Sequence, residues 1–314
     1  MLNGSRIFFE AIRKYCATHG IQIEFRSAGW LAVMRRGAKQ HLAFGYDLGL
    51  NSSVAHRIAN DKAATAEVLQ ACSIACVPHA VFFNPQMNEV MRPQASWKAM
   101  IALLRENPNG VVVKPNEGTS GNSVFKVSTE PELELAAHRI FSSNPSLAIS
   151  PWLDIEDEVR VVLMDHRPLV VYSKSRPAIV GDGVRSVLEL ALADTPSEIR
   201  STVFNDMIDD LDSATLNSIP PRGERRVLGW RHNLDKGAQP VLLGEGKIRD
   251  DCAELAAQAA NAIGIRFSSI DVVKVNGAWK ILEINSGVMM EALGRLHPEL
   301  VYAAYGAALD KVFE

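Results

Sequence analysis

The segment 110–127, GVVVKPNEGTSGNSVFKV, most constrains what this chain can fold into. It begins with Val111 to Val113, a short run of β-branched residues typical of a buried strand, and the run ends at Lys114. Pro115, Asn116 and two glycines follow, and these residues tolerate the backbone angles of a tight loop. The segment therefore predicts a strand, a lysine at the end of that strand, a loop and a second strand.

The loop Gly118–Gly121 has a composition suited to binding an anion. Small residues let backbone N–H groups approach a phosphate closely, Thr119 and Ser120 add hydroxyl donors, and Lys114 supplies positive charge. The same tetrapeptide is also a common hairpin loop, and it is not a Walker A loop because no Gly-Lys-Ser/Thr opens a helix after it. A phosphate site here is thus a hypothesis that needs support from elsewhere in the chain.

A second cluster, Asp271 with Glu283 and Asn285, provides that support. These residues lie in a predicted hairpin that turns at Asn276-Gly277, a dipeptide strongly favoured in hairpins. Glu283 and Asn285 alternate along one strand and so point to one face. Two carboxylates and an amide oxygen suit a magnesium ion that carries nucleotide phosphates, although solvated carboxylates are the simpler alternative.

Composition narrows the class of protein. The 314 residues are 47% apolar and 22% charged, which is typical of a globular protein of two or three subdomains. A net charge of -3 gives no reason to expect nucleic acid or an anionic membrane as a partner. The N-terminus reads as an amphipathic helix rather than a secretion signal, and the four cysteines lack metal spacing. We therefore expect reduced thiols and a cytoplasmic location.

Periodicity and turn signals predict alternating helices and strands along the chain. Helices are expected at about 4–19, 51–58, from 61 onward, 96–106, 132–142, 187–192 and 250–263. Strands are expected at 21–25, 31–36, 39–45, 81–83, 111–113, 147–152, two within 159–174, 267–275 and 279–284. The polar stretch 194–226 gives no assignable pattern, and no element is assigned after residue 287.

Several motifs, taken in order between about residues 37 and 287, resemble the ATP-grasp carboxylate–amine ligases. They are SSVAHRIANDKAAT, VVVKPNEGTSGNSV, Glu158-Val-Arg160, PAIVGDG, NLDKGA and SSIDVVKVNGAWKILEINSG. More narrowly, they resemble the ATP-grasp portion of cyanophycin synthetase and glutathione synthetase-like domains. The resemblance implies an α+β ATP-grasp fold in which two subdomains clasp ATP. It divides the chain into a short N-terminal lobe (1–57), an N-terminal subdomain with the phosphate loop (58–150) and a C-terminal subdomain with the metal site (151–314).

The resemblance also implies roles for individual residues. Nucleotide contacts fall on Lys62, Lys114, Gly118, Thr119, Ser120, Gly121, Pro151, Trp152, Leu153 and Glu158. Adenine is expected near residues 150–154, where backbone groups can read the ring edge, and Trp152 is expected to belong to the core. The resemblance assigns Mg²⁺, with Mn²⁺ as the other candidate, to Asp271, Glu283 and Asn285.

On the substrate side, Arg160 and Arg231 match arginines near the γ-phosphate and the reacting carboxylate, and Asn233 matches an asparagine in a substrate loop. Lys174 or Arg176 matches a basic residue ahead of Gly-Asp-Gly, and the spacing admits either register.

Three departures from the family pattern lie toward the substrate side or the hinge. Ser150-Pro151 stands where relatives often have a glutamate, Ser286-Gly287 follows Asn285 where they tend to have proline near a glycine, and Lys236 stands where small residues are usual. These departures suggest a working ATP site with a divergent substrate.

The expected activity is ATP- and Mg²⁺-dependent ligation of a carboxylate to an amine through an acyl phosphate, with amino acids or a short peptide as substrates. One alternative is an ATP-binding interaction module without turnover. Another is a phosphotransferase, which would need a phosphohistidine domain. The short N-terminal lobe makes a homodimer plausible.

Overall fold

The computed structural model describes residues 6–85, 97–118, 123–193, 195, 197 and 199–314, with the backbone alone at 206 and 209. The chain divides into two compact units, which are described separately below. The first comprises Met1–Val171 with Gly244–Glu314, and the second is Tyr172–Leu243. The three-part division at residues 57 and 150 remains a prediction. Within the described ranges, no helix is both long and apolar enough to cross a membrane.

In the first unit, helix α1 (Ile7–Thr18) packs against α11 (Pro298–Phe313), which follows the shorter α10 (Glu291–Leu296). The Tyr15 hydroxyl donates a hydrogen bond of 2.8 Å to Asp310 Oδ1 and ties the two ends of the chain together. A three-stranded antiparallel sheet follows α1. Its strands, in spatial order, are β1 (Gln22–Arg26), β2 (Leu31–Arg36) and β3 (Lys39–Phe44). The hairpin predicted around Gly37 is thus present.

Two consecutive helices, α2 (Ser53–Asn60) and α3 (Lys62–Ala71), begin within two residues of the predicted starts at 51 and 61. The Ser52 hydroxyl accepts a hydrogen bond from the Ala55 N–H at 3.1 Å, and Asp61 Oδ1 accepts one from the Ala64 N–H at 2.8 Å. Because Asp61 is the cap of α3, Lys62 occupies the first position of that helix.

A four-stranded antiparallel sheet contains the two strands predicted in the segment 110–127. In spatial order its strands are β4 (Ala80–Phe83), β7 (Ser146–Pro151), β5 (Val111–Pro115) and β6 (Phe125–Val127). Residues from α4 (Trp97–Glu106) and α5 (Glu130–Phe141) form an apolar core with alternate strand residues, including Val111, Val113 and Ile149. Since side chains alternate, Val112 and Lys114 point to the opposite face.

A third sheet of the first unit has the spatial order β9 (Arg167–Ser175), β8 (Asp157–Met164), β13 (Phe267–Val275), β14 (Ala278–Asn285). Strand β9 runs across the boundary into the second unit. Helix α9 (Lys247–Ile263) packs against β8, β13 and β14; it ends where the predicted helix 250–263 ends and begins three residues earlier.

A β-bulge shapes strand β14. Asp271 pairs with Glu283 but Val272 pairs with Ile281, which leaves Leu282 as the extra residue. Ile281 and Ile284 are therefore both buried in the core although they are three positions apart. Glu283 and Asn285 share the other face with Asp271.

The second unit is built from small elements. The end of β9 pairs with β12 (Gln239–Leu242), and β10 (Ala178–Val180) pairs with β11 (Arg225–Val227). Helices α6 (Val187–Ala193), α7 (Arg200–Asp210) and α8 (Ser213–Asn217) enclose a core that includes Val187, Leu190, Val203, Met207 and Leu228. The unassigned stretch 194–226 thus contains α7, α8 and the start of β11.

Candidate active site

The side chain of Lys62 is hydrogen-bonded to the backbone of the segment that follows β5. Its ammonium donates to the carbonyl oxygens of Asn116 at 3.4 Å and Gly118 at 3.0 Å. The buried Asn116 accepts a further hydrogen bond, through Oδ1, from the Ala63 N–H at 3.2 Å. The first turn of α3 therefore holds the start of the predicted phosphate loop. Thr119, Ser120 and Gly121 lie outside the described residues, and their contact with phosphate stays a prediction.

Lys114 is a buried cation, with 7% of its surface exposed. Among the described residues its ammonium makes no hydrogen bond or ion pair. Burial lowers the pKa of Lys114 to about 8, and Lys62 adds to the shift, whereas the negative charges of Glu283, Glu158 and Asp271 oppose it. The ammonium is thus within electrostatic range of three carboxylates. A desolvated cation of this kind attracts an anionic ligand strongly.

Three neighbouring strands place charged side chains next to one another, those of Arg160, Asp271 and Glu283. The register places Asp271 opposite Arg160 on β8 and opposite Glu283 on β14, so their side chains share one face of the sheet. Arg160 donates from Nε and Nη2 to the two oxygens of Asp271, both at 2.7 Å, and Asp271 is 1% exposed. Glu158, also buried, lies two residues before Arg160 on the same face.

The predicted metal ligands fit a hard cation by their chemistry. Asn285 Nδ2 donates to Glu283 Oε1 at 3.3 Å, which brings the amide and that carboxylate together. Each Asp271 oxygen that accepts a hydrogen bond from Arg160 has a second lone pair. Among the described residues, no group of three or more His, Cys, Asp or Glu side chains is arranged to hold a metal ion. The set here has two carboxylates and an amide, and its role as a metal site remains a prediction.

Sequence reasoning missed a polar network at the end of β14. The buried Ser286 hydroxyl lies 3.0 Å from His56 Nδ1 and donates to Asn60 Oδ1 at 3.3 Å. Asn60 Nδ2 donates in turn to His56 Nε2 at 3.0 Å. This network ties the strand that carries Glu283 to helix α2. Ser286 is notable in the sequence as a departure from the family pattern, but its partners are some 230 residues away.

The predicted adenine segment leaves the end of β7. The Trp152 N–H donates to the Gly110 carbonyl at 3.0 Å, and the Lys126 ammonium lies 3.7 Å from the centroid of the Trp152 ring. Leu153 packs against an apolar cluster that contains Val77. Trp152 is partly buried rather than a full core residue, and its contact with adenine, like that of Pro151, stays a prediction.

The remaining predicted residues lie in the second unit. Lys174 is buried on β9 and its carbonyl accepts a hydrogen bond of 2.6 Å from His232 Nδ1, whereas Arg176 is only partly buried. Arg231 donates to Asp210 Oδ2 at 2.7 Å and its guanidinium lies over the Trp230 ring.

Asn233 caps a short 3₁₀ turn by accepting from the Asp235 N–H at 2.8 Å. A cavity of about 20 Å³ in the same unit is lined by Asp210, Arg231 and Lys236 together with apolar side chains. The second unit thus brings Arg231 and Lys236 to one cavity.

Comparisons with known proteins define the fold. No family model matches the chain, and no curated protein sequence does either. Among solved structures, a bifunctional glutathione synthetase from Pasteurella multocida superimposes with a TM-score of 0.56 at 16% identity, over 97% of this chain and 44% of that one. A D-alanine–D-alanine ligase from Bacillus anthracis gives 0.51 at 13% identity, over 84% and 72%.

The chain therefore spans less than half of the glutathione synthetase that it resembles. With its mixed α+β architecture and antiparallel sheets, it has the ATP-grasp fold, as the sequence motifs predicted.

Proposed function

We propose that this protein is an ATP- and Mg²⁺-dependent ligase that joins a carboxylate to an amine through an acyl phosphate. The observation that carries the proposal is the buried Lys114 ammonium, which lies within electrostatic range of Asp271 and Glu283. A buried cation and hard oxygen ligands are the two kinds of group that hold a metal–nucleotide complex. The ATP-grasp fold, shared with structures described as a glutathione synthetase and a D-alanine–D-alanine ligase, supports the same conclusion.

In this proposal Lys114 and Lys62 bind the nucleotide phosphates, and the loop 118–121 covers them. Asp271, Glu283 and Asn285 hold Mg²⁺, which neutralises phosphate charge when it is bound. Arg160 is fixed by its two hydrogen bonds to Asp271, so its guanidinium is oriented before the ligand arrives. Such a site catalyses mainly by positioning and charge stabilisation.

The chemistry requires two displacements. An oxygen of the substrate carboxylate attacks the γ-phosphorus of ATP, the bond to the β,γ-bridging oxygen breaks, and ADP leaves with that electron pair. The amine then attacks the acyl carbon, phosphate leaves and the amine nitrogen loses a proton. For the substrate side we retain Arg231, Asn233 and either Lys174 or Arg176, with amino acids or a short peptide as the substrate class.

The test is to incubate the protein with ATP, Mg²⁺ and pools of amino acids and short peptides, and to measure ADP together with the mass of any new amide. The proposal predicts ADP formation that depends on one pool and matches the amide in amount. Glu283→Gln, which alters a proposed metal ligand, is expected to abolish both products. ATP binding without turnover in any pool would instead favour an ATP-binding module.

A further inference from the structure

His79 carries a buried hydrogen-bond acceptor to which none of the described residues donates. It directly precedes β4 and is 8% exposed. Its Nδ1 lies 3.0 Å from the Val77 carbonyl, so Nδ1 bears the hydrogen and Nε2 is the acceptor of the neutral ring. Nε2 is buried, and no residue in the described part of the chain donates to it. Such an unsatisfied acceptor destabilises the folded protein unless a ligand supplies the donor.

Strand register places His79 on the same sheet face as Lys114. Ala80 pairs with Ile149, and both side chains pack in the apolar core, so the preceding His79 points to the opposite face beside Ser150. Ser150 pairs in turn with Val112, two residues before Lys114. His79, Ser150 and Val112 therefore form one row across three strands, and Lys114 lies further along the same face.

The electrostatic surroundings keep the His79 ring neutral. Burial lowers the pKa of His79 well below its usual range, and the positive charges of Lys114 and Lys62 lower it further, against a small opposing effect of the Val77 carbonyl. At neutral pH, Nε2 therefore presents a lone pair rather than an N–H group. By strand alternation the same face also carries apolar side chains beside this row, those of Val81, Val112 and Ala148.

The next step rests on the proposed function. If Lys114 holds phosphates, the donor that satisfies His79 belongs to another part of ATP, because ionised phosphate oxygens only accept hydrogen bonds. ATP offers two kinds of donor, the ribose hydroxyls and the 6-amino group of adenine. A flat, largely apolar base packs better than a hydroxylated sugar against the apolar side chains beside His79. We propose that His79 Nε2 accepts a hydrogen bond from the adenine 6-amino group and selects adenine over 6-oxopurines.

The selectivity follows from the fixed tautomer. Guanine and hypoxanthine carry an oxygen at position 6, which would place an acceptor against the Nε2 lone pair. His79 cannot donate a hydrogen bond to this oxygen, because its one ring N–H, at Nδ1, already donates to the Val77 carbonyl. The neighbouring Ser150 hydroxyl can rotate to donate or accept, so it is not expected to discriminate between the bases.

The experiment measures binding of four nucleotides by calorimetry: ATP, the purine ribonucleoside triphosphate that lacks the 6-amino group, inosine triphosphate and 2′-deoxyATP. The wild type is expected to bind ATP about tenfold more tightly than the analogue without the amino group, the equivalent of one hydrogen bond of about 1.4 kcal/mol. Inosine triphosphate is expected to bind more weakly still.

Two variants separate the role of His79 from a merely structural one. His79→Leu is expected to lose about tenfold in ATP affinity and to leave the affinity of the amino-free analogue unchanged. His79→Gln, whose amide can rotate, is expected to keep ATP binding and to tolerate inosine triphosphate. His41→Leu is the matched control, because His41 lies on β3, outside the proposed nucleotide site, and its ring also contacts a backbone carbonyl, that of Leu48 at 2.7 Å; it is expected to keep the wild-type preference.

Several outcomes would overturn the inference. A wild type that binds ATP and the amino-free analogue equally would remove the role of His79 while leaving the proposed function intact. Equal losses for both nucleotides in His79→Leu would mean a structural effect, and a change confined to 2′-deoxyATP would assign His79 to the ribose. A wild type that binds none of the nucleotides would refute the proposed function and this inference together.

Discussion

The burial of Lys114 gives nucleotide binding a predictable pH dependence. Its pKa of about 8 in the free protein should rise when anionic phosphates bind, so binding takes up a proton at pH values between the two pKa values. The affinity for ATP should therefore be constant well below pH 8 and fall by up to about tenfold per pH unit above it. Calorimetry at pH 7, 8 and 9, in buffers of different ionisation enthalpy, measures both the affinity and the proton uptake.

Lys114→Arg is the control for this prediction, because a guanidinium remains charged throughout this pH range. The variant should bind ATP with an affinity that does not fall between pH 8 and 9. A wild-type slope that persists in Lys114→Arg would mean that another group titrates.

Asp271 and Glu283 should differ in what their replacement does to stability. Asp271→Asn removes the charge that pairs with the largely buried Arg160, and the free energy of unfolding should fall by about 3 kcal/mol. Glu283→Gln leaves the Arg160–Asp271 pair intact and should cost less than about 1 kcal/mol. Urea denaturation measures this difference, and ADP release should be lost in both variants. Full activity in Glu283→Gln would remove that residue from the metal site.

At the scale of elements, local signals made much of the fold predictable. The caps Ser52 and Asp61 satisfy N–H groups within one turn, and Asn276-Gly277 adopts the two positive φ angles that its hairpin needs. These structures depend on neighbours in sequence, so the sequence alone indicates them. Helix α11 also has an apolar pattern of helical period, with Val301, Ala304, Tyr305 and Ala308 buried, yet no element is predicted there.

The parts that escaped prediction depend on distant pairing. The bulge at Leu282 appears only when β14 is paired with β13, and it decides which β14 residues face the core. The bond between Arg160 and Asp271 joins residues 111 positions apart, and the row of His79 and Ser150 requires the β4–β7 register. Helix α7 escaped prediction because seven of its eleven residues are polar, although Val203 and Met207 are buried four positions apart.

The start of β5 offers a test of how strand position supports the site. Gly110 has φ +92°, and a Cβ there would lie 2.6 Å from the Val127 carbonyl oxygen. Gly277 has a similar φ of +76° but open space around it, so Gly277→Ala measures backbone strain alone. Gly110→Ala should lose at least about 1 kcal/mol more stability than Gly277→Ala in urea denaturation. Equal losses of stability in Gly110→Ala and Gly277→Ala would show that strand β6 moves to make room for the added methyl group at position 110.

At the scale of the whole molecule, the predicted residues fall into two groups. Lys62, Lys114 and the residues around Asp271 belong to the first unit, whereas Arg231 and Asn233 belong to the second. If the first group binds nucleotide and the second acts on the other substrate, Arg231→Met should leave ATP affinity unchanged. It should lower substrate-dependent ADP release by about 10²-fold, because in the proposed function Arg231 supplies the positive charge that stabilises the reacting carboxylate.

Arg226→Met is the matched control, since Arg226 also pairs with a carboxylate of the second unit, that of Glu224. It should retain wild-type turnover. Calorimetry measures the affinity for ATP, and a second assay measures ADP release with the substrate pool. Together the two assays separate nucleotide binding from action on the other substrate. A loss of ATP affinity in Arg231→Met would contradict this division of labour.

The central claim is that a substrate carboxylate is phosphorylated by ATP and then captured by an amine. Oxygen-18 in the carboxyl groups of the amino acid and peptide pools tests this claim most directly. The account predicts that the released inorganic phosphate, analysed by mass spectrometry, carries one oxygen-18 for each ADP formed, because that oxygen bridges the acyl carbon and phosphorus before the amine attacks. Unlabelled phosphate released together with ADP would show that water, and not a carboxylate, attacks ATP, and would contradict the account.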